Sequence, residues 1–314
     1  MPTILFLNAP LRKSRDAAVI LPNGPRAGAV VNRMNLLLCS DLDRTLIPNG
    51  PEPESPRARA LLRELARRPE ITLAYVSGRD RALIEAAIRE WRLPVPAYAI
   101  GDVGTTIYEV RDGKWRPWSE WAREIAPDWR GLGRDGLAAL FADLDGLTPQ
   151  PPEQQGVFKL SYHVPRAAAR GPLLAEVQRR LAAHRVRASL IWSIDEARDT
   201  GLLDVLPAGA TKLHAVRFLM AHRGFQEEHT VFAGDSGNDL PALTGGLQAV
   251  LVANAGEDVR QEALRLVEAN GNLDRLYLAR GGFLGMNGCY AAGVLEGLVH
   301  FIPQVECWLD ARRA

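Results

Sequence analysis

Two aspartates one residue apart, Asp41 and Asp43, close the hydrophobic run Leu36-Leu-Leu-Cys-Ser-Asp-Leu-Asp-Arg-Thr45. Alternate side chains of an extended strand share a face, so both carboxylates can address one group of substrate atoms. In α/β sheets, ligands collect beyond the carboxyl ends of the strands, which is where this acid pair would stand. The competing reading is that acids after a strand simply cap the next helix. Three further stretches weigh against it. Ile71-Thr-Leu-Ala-Tyr-Val76 reads as a strand and runs into Ser77-Gly78-Arg79. Lys212 falls in the first turn of the helix-spaced run Ala210-Thr-Lys-Leu-His-Ala-Val-Arg-Phe-Leu-Met220. Thr230-Val-Phe-Ala233, a third apolar strand, ends in Gly234-Asp-Ser-Gly-Asn-Asp239.

An acid pair, a hydroxyl, a lysine and a second acid pair, in that order and mostly after strands, resemble the haloacid dehalogenase superfamily of phosphohydrolases. Phosphate-ester hydrolysis needs an in-line nucleophile, a proton donor for the leaving oxygen and positive charge around the phosphoryl group. The resemblance implies that Asp41 is the nucleophile and forms an aspartyl-phosphate. Asp43 would protonate the leaving oxygen and then deprotonate the attacking water, for which its pKa should be raised in the closed site. Ser77, with the backbone amides of Gly78 and Arg79, would bind the phosphate, and Lys212 would add a fixed positive charge. An oxygen-only ligand set calls for Mg2+, held by the Asp41 carboxylate, the Asp43 main-chain carbonyl and the Asp235 carboxylate. Asp239 would act through water, with Thr45 and Asn238 supporting the ligands. Zinc is disfavoured, because the six histidines are scattered and no His/Cys cluster has ligand spacing.

Position 44 narrows the resemblance. Many superfamily sugar phosphatases carry glycine after the second aspartate, whereas Ser40-Asp-Leu-Asp-Arg-Thr45 is similar to the sucrose-phosphate phosphatase group. Val103-Gly-Thr-Thr-Ile107, Phe158-Lys-Leu-Ser-Tyr-His163, Leu202-Leu-Asp-Val-Leu-Pro207 and the tail Cys289-Tyr-Ala-Ala-Gly-Val-Leu-Glu-Gly-Leu-Val-His-Phe301 agree with that group. The implied fold is α/β: a Rossmann-like core over 35–108 and 208–314, with a mainly parallel sheet flanked by helices, and a smaller α/β cap inserted at 109–207. Within the cap, strands are expected at 158–164, 189–194 and 202–206. A helix from Pro172 to about His184 would present Leu173, Leu174, Val177 and Leu181 on one face. A lid over the site would expel water and supply specificity. Lys159 and Asp204 are the candidates for contacting sugar hydroxyls, though an edge-strand lysine and a hinge acid are equally good readings. Trp115 to Trp129 could stack on a sugar ring, but tryptophans more often pack cores.

The expected reaction is hydrolysis of a disaccharide phosphate, sucrose 6-phosphate first. Alternatives are mannosylfructose phosphate, glucosylglycerol phosphate, a glycosyl-phosphoglycerate, or a regulatory partner of a sugar-phosphate synthase. A pure scaffold would have no need of several charged groups converging on one pocket, because burying them costs energy. A formal net charge of +1 gives no reason to expect nucleic acid or an acidic membrane as a partner. Three cysteines without framework spacing suit a reducing cytoplasm, and no apolar run is long enough for a membrane span. Residues 1–34 read as a loose N-terminal extension, with Met34 a candidate natural start.

Overall fold

The computed structural model describes residues 35–166, 170–195 and 198–309. The expected extension over 1–34 and the alternative start at Met34 lie outside these described residues. The larger sheet contains β1 (Leu36–Ser40), β2 (Ile71–Val76), β3 (Tyr98–Gly101), β4 (Thr106–Arg111) and β5 (Lys114–Pro117). The second, smaller sheet takes β6 (Thr148–Pro149), β7 (Leu160–Pro165), β8 (Ala188–Asp195) and β9 (Thr200–Pro207). The chain then returns to the larger sheet with β10 (Thr230–Gly234), β11 (Gln248–Leu251) and β12 (Leu276–Leu278).

The larger sheet has the order β12-β11-β10-β1-β2-β3-β4-β5. Pairing is parallel from β12 to β3, and the β4–β5 hairpin extends it antiparallel. Strand β1 is buried along its whole length, as expected of a parallel strand covered on both faces. Leu36 and Leu38 pack into one layer with Leu62, Leu295 and Leu298. Leu37 and Cys39 point the other way, to Val216, Leu219 and Phe232. Period-two alternation thus divides one apolar run between two helical layers. The helix Ala291–Phe301 lies very close to β11: a Cβ at Gly297 would come within 2.3 Å of the Val250 side chain.

The smaller sheet is antiparallel, in the order β6-β7-β9-β8. The helix Arg170–Ala183 buries Leu174, Val177 and Leu181. They join a separate core with Trp129, Phe141, Tyr162, Trp192, Leu203 and Val205. Division of the chain at 108/109 falls inside β4. The rest of β4, all of β5 and the helix Ser119–Ile125 belong with the larger sheet, where Trp121 and Ile125 enter its core. Trp121 and Trp129 are fully enclosed, so neither offers a stacking face for a sugar. Trp121 donates its indole N–H to the Gly104 carbonyl at 3.0 Å and meets Phe218 edge-on. Among the described residues, no helix is long and apolar enough to cross a membrane.

The contact at Gly297 carries a testable consequence. Gly297→Ala forces a methyl group into Val250 and should cost about 1–3 kcal/mol, the usual range for overpacking. Thermal unfolding of the variant checks this; an unchanged midpoint would contradict the close packing.

Candidate active site

Three neighbouring strands deliver the acids. Ser40 at the end of β1 lies level with Tyr75 on β2 and Ala233 on β10. The next backbone amide, that of Asp41, donates to the Ala233 carbonyl at 2.9 Å. Asp41, Ser77 and Asp235 therefore emerge side by side from one edge of the sheet. Opposite them begins the helix Lys212–Arg223, capped by the Thr211 hydroxyl, which accepts from the His214 N–H at 3.1 Å. That cap fixes the first helical residue, Lys212, so that its side chain turns inward. Lys212 Nζ lies 2.7 Å from Asp239 Oδ1, 3.1 Å from Asp41 Oδ1 and 3.1 Å from Asn238 Oδ1.

Carboxylate oxygens of Asp41, Asp235 and Asp239 all lie within 4.8 Å of one another. All three residues are buried, as is Lys212. Desolvated like charges so close disfavour simultaneous ionisation. Burial pushes the Asp41 carboxyl well above its ordinary value, against the pull of the Lys212 charge and with the help of Asp239 and Asp235. Asp235 is pushed up to about 7, by burial and then by Asp239, while Thr45, Arg44 and Lys212 act downward. Burial opposes the charge on Lys212, but Asp239 and Asp41 outweigh it and hold the ammonium form. An oxygen-only trio with more negative than positive charge suits a hard divalent cation.

Asp239 has both oxygens engaged. Oδ1 accepts from Lys212, and Oδ2 accepts from the amides of Asp235 and Ser236, each at 3.2 Å, and from the Ser236 hydroxyl at 3.1 Å. Asp41 and Asp235 are thereby the better placed of the three to ligate directly. Thr45 donates its hydroxyl to Asp235 Oδ1 at 3.1 Å. Asn238 Oδ1 accepts from Lys212 and from the Ser236 hydroxyl, so it steadies the lysine.

Asp43 departs from expectation. Arg79 grips it with a two-pronged contact, Nε to Oδ2 at 2.7 Å and Nη2 to Oδ1 at 2.6 Å. Asn49 donates to Oδ1 at 2.8 Å. Burial works to raise this carboxyl, yet the hydrogen bonds and charge of Arg79, with Asn49, hold it below its ordinary value. This direction is opposite to the rise expected of a proton donor in the closed site, because a forked guanidinium contact favours the ionised acid. Ser77 is fully buried, and its hydroxyl accepts from the Arg79 amide at 3.2 Å. A Cβ at Gly78 would meet only ordinary contact, Val103 Cγ2 at 3.9 Å, so nothing in the surrounding fold demands glycine there.

Lys159 and Asp204 stand apart from this cluster, in pairs of their own. Asp204 on β9 accepts from the hydroxyl of Ser161, its partner across the β7–β9 ladder. Lys159, just before β7, lies 3.9 Å from Asp102 in the loop after β3. Asp102 has φ +50°, and its amide donates to the Arg79 carbonyl at 2.9 Å. The smaller sheet is thus coupled to the Ser77-Gly78-Arg79 loop through Lys159 and Asp102. Sequence reasoning missed Asp102, Asn49 and Asn254. The available signal was their position, an acid or amide directly after a strand or in a Pro-Asn-Gly turn.

Comparison with known proteins agrees with this geometry. Residues 34–302 match the family model described as sucrose-6F-phosphate phosphohydrolase. A HAD-like hydrolase of Nitrosococcus oceani is 56% identical over 90% of this chain and 76% of its own length. The mannosylfructose-phosphate phosphatase of Agrobacterium fabrum is 28% identical, over 84% of this chain and 96% of that protein. Among solved structures, the sucrose-phosphatase of Synechocystis sp., in complex with sucrose and phosphate, superposes with a TM-score of 0.65. Its identity is 27%, covering 85% of this chain and 98% of that one.

Burial, opposed by Lys159 and aided by Asp80 and Asp204, pushes Asp102 up to about 6. A carboxyl raised on folding supports the fold at low pH and weighs against it as pH climbs through the folded value. Asp102→Asn keeps the uncharged shape. Its stability relative to the parent should rise between about pH 4 and about pH 6, then level off. Denaturant unfolding at several pH values measures this; a difference independent of pH would contradict it.

Proposed function

The chain belongs to the sucrose-6F-phosphate phosphohydrolase family, a group of HAD-superfamily sugar phosphatases, and from that premise we propose that it removes phosphate from a disaccharide phosphate, sucrose 6-phosphate first. The observation that carries this reading is the buried cluster of Asp41, Lys212, Asp235 and Asp239 at the carboxyl ends of β1 and β10. The Synechocystis sp. sucrose-phosphatase, solved in complex with sucrose and phosphate, supports the sugar. Mannosylfructose phosphate is the nearest rival, on the strength of the Agrobacterium fabrum phosphatase. Glucosylglycerol phosphate and a glycosyl-phosphoglycerate follow. Three unpaired cysteines fit a reducing compartment, and we place the activity in the cytoplasm.

In the proposed mechanism Asp41 attacks phosphorus, the bond to the sugar oxygen breaks, and Asp43 hands that oxygen a proton. Water then gives a proton to Asp43 and attacks the aspartyl-phosphate, releasing phosphate and restoring Asp41. Ser77 and the amides of Gly78 and Arg79 hold the phosphate oxygens, and Lys212 keeps the Asp41 carboxylate oriented. Mg2+ would be held by Asp41, the Asp43 carbonyl and Asp235, with Asp239 through water, and would offset charge on the phosphoryl oxygens.

The Arg79–Asp43 contact gives this scheme a built-in order. Without substrate the guanidinium holds Asp43 ionised. An arriving phosphate dianion competes for the same guanidinium, and a released Asp43 can take up from solvent water, before the site closes, the proton that it then donates to the leaving oxygen. Lys159 and Asp204, on the smaller sheet, are the proposed contacts for sugar hydroxyls.

Phosphate release with Mg2+ across the four glycosyl phosphates and simple hexose phosphates tests the function. Strong preference for one disaccharide phosphate, abolished by EDTA, is the expected outcome; equal, feeble turnover of everything would overturn the substrate class. Asp41→Asn should lower turnover by roughly a thousand-fold or more with the fold retained. Gly78→Ala should lower kcat/KM by about tenfold or more without loss of thermal stability, because the added methyl group displaces substrate rather than protein. A stability loss in Gly78→Ala, or full activity, would refute its place against the phosphate.

A further inference from the structure

Arg44 occupies an uncommon backbone position for its type, with φ +56°. Left-handed conformations crowd the Cβ of an L-residue, and glycine is the usual occupant. Here the conformation is held from two sides. The Arg44 amide donates to Asn49 Oδ1 at 2.8 Å, and its carbonyl accepts from Asn254 Nδ2 at 2.7 Å. Asn254 is itself buried and pinned by the Tyr290 amide, which donates to its Oδ1 at 2.8 Å. Asn49 in the same loop and two distant stretches of chain thus maintain a turn that glycine would adopt without strain.

The turn sends the arginine side chain to Asp235. Nε lies 3.4 Å from Asp235 Oδ2, on the carboxylate oxygen that Thr45 does not use. Nη2 donates to the Asn254 carbonyl at 3.1 Å and lies 3.9 Å from Glu52, which also accepts from the Tyr290 hydroxyl at 3.1 Å. Charge is therefore distributed unequally. Asp41 and Asp239 share Lys212, whereas Asp235 has a cation of its own.

We propose that Arg44 is the resident counter-cation of Asp235, a positioning residue that holds this carboxylate facing the acid cluster and sets how tightly the metal is taken up. The inference rests on the reading of the cluster as a Mg2+ site. A fixed guanidinium beside one ligand has two effects. It keeps the Asp235 carboxylate aimed before the metal arrives, and it repels the incoming dication. The second effect weakens binding, so Mg2+ remains exchangeable rather than permanently sequestered.

Calorimetric titration of Mg2+ into the parent protein, Arg44→Gln and Arg44→Lys tests the proposal without reference to turnover. Both variants keep a non-glycine residue at the left-handed position and lose the guanidinium with its bond to the Asn254 carbonyl, so any general loosening of the turn is common to the two. Removing one unit charge at this range should tighten Mg2+ binding about fivefold to tenfold in Arg44→Gln, while Arg44→Lys stays near the parent. Equal or weaker binding in Arg44→Gln, or a lysine variant that behaves like the glutamine one, overturns the counter-cation role. A parent protein that binds no Mg2+ overturns the metal reading of the site and this proposal with it.

Discussion

Three buried carboxylates packed around one buried lysine are the constraint on which the rest of the structure depends. Taking four ionisable groups out of water is unfavourable unless they find partners or share protons. The fold meets this with fixed positions. Strands β1 and β10 are adjacent and parallel, with Ser40 level with Ala233, so Asp41 and Asp235 leave the same edge of the sheet one register step apart. The Thr211 cap starts the helix at Lys212, and the Ser236–Asp239 turn closes on itself so that Asp239 faces the lysine. Two apolar helical layers then exclude water from the strands that carry these groups.

Around this centre the positive charge is shared out among groups with different freedom. Lys212 is buried and locked. Arg44 and Arg79 are partly exposed, and each grips one carboxylate, Asp235 and Asp43 respectively. A phosphate ester needs cations that can be redirected toward it, and a deeply buried lysine cannot be. Of the two arginines, Arg79 is the one that the proposed mechanism redirects to phosphate, and the Lys159–Asp102 pair ties the loop carrying it to the smaller sheet.

Much of this was legible in the sequence, for physical reasons that can be named. Strands β1, β2 and β10 are covered on both faces, so they appear as unbroken apolar runs followed by polar residues. Lys212 could be placed at a helix start because Thr211 is a strong cap. Residues 109–125 read as part of the insertion, because a run of tryptophans calls for packing without saying against which sheet. The state of Asp43 was hidden for a related reason. Arg79 had been read through its backbone amide, whereas its side chain reaches back across 36 positions to grip the acid. Arg44 stood out as a departure from glycine, but its partner Asp235 lies on another strand, and only the folded chain shows the pairing.

The claim at the centre of this account is that Asp41 becomes covalently phosphorylated during turnover. Acid quenching during hydrolysis of the preferred disaccharide phosphate, followed by mass spectrometry of the peptides, examines it directly. The account predicts one phosphate on the peptide carrying Asp41, absent from Asp41→Asn. Steady hydrolysis with Asp41 unmodified, or phosphate on a different side chain, would contradict it.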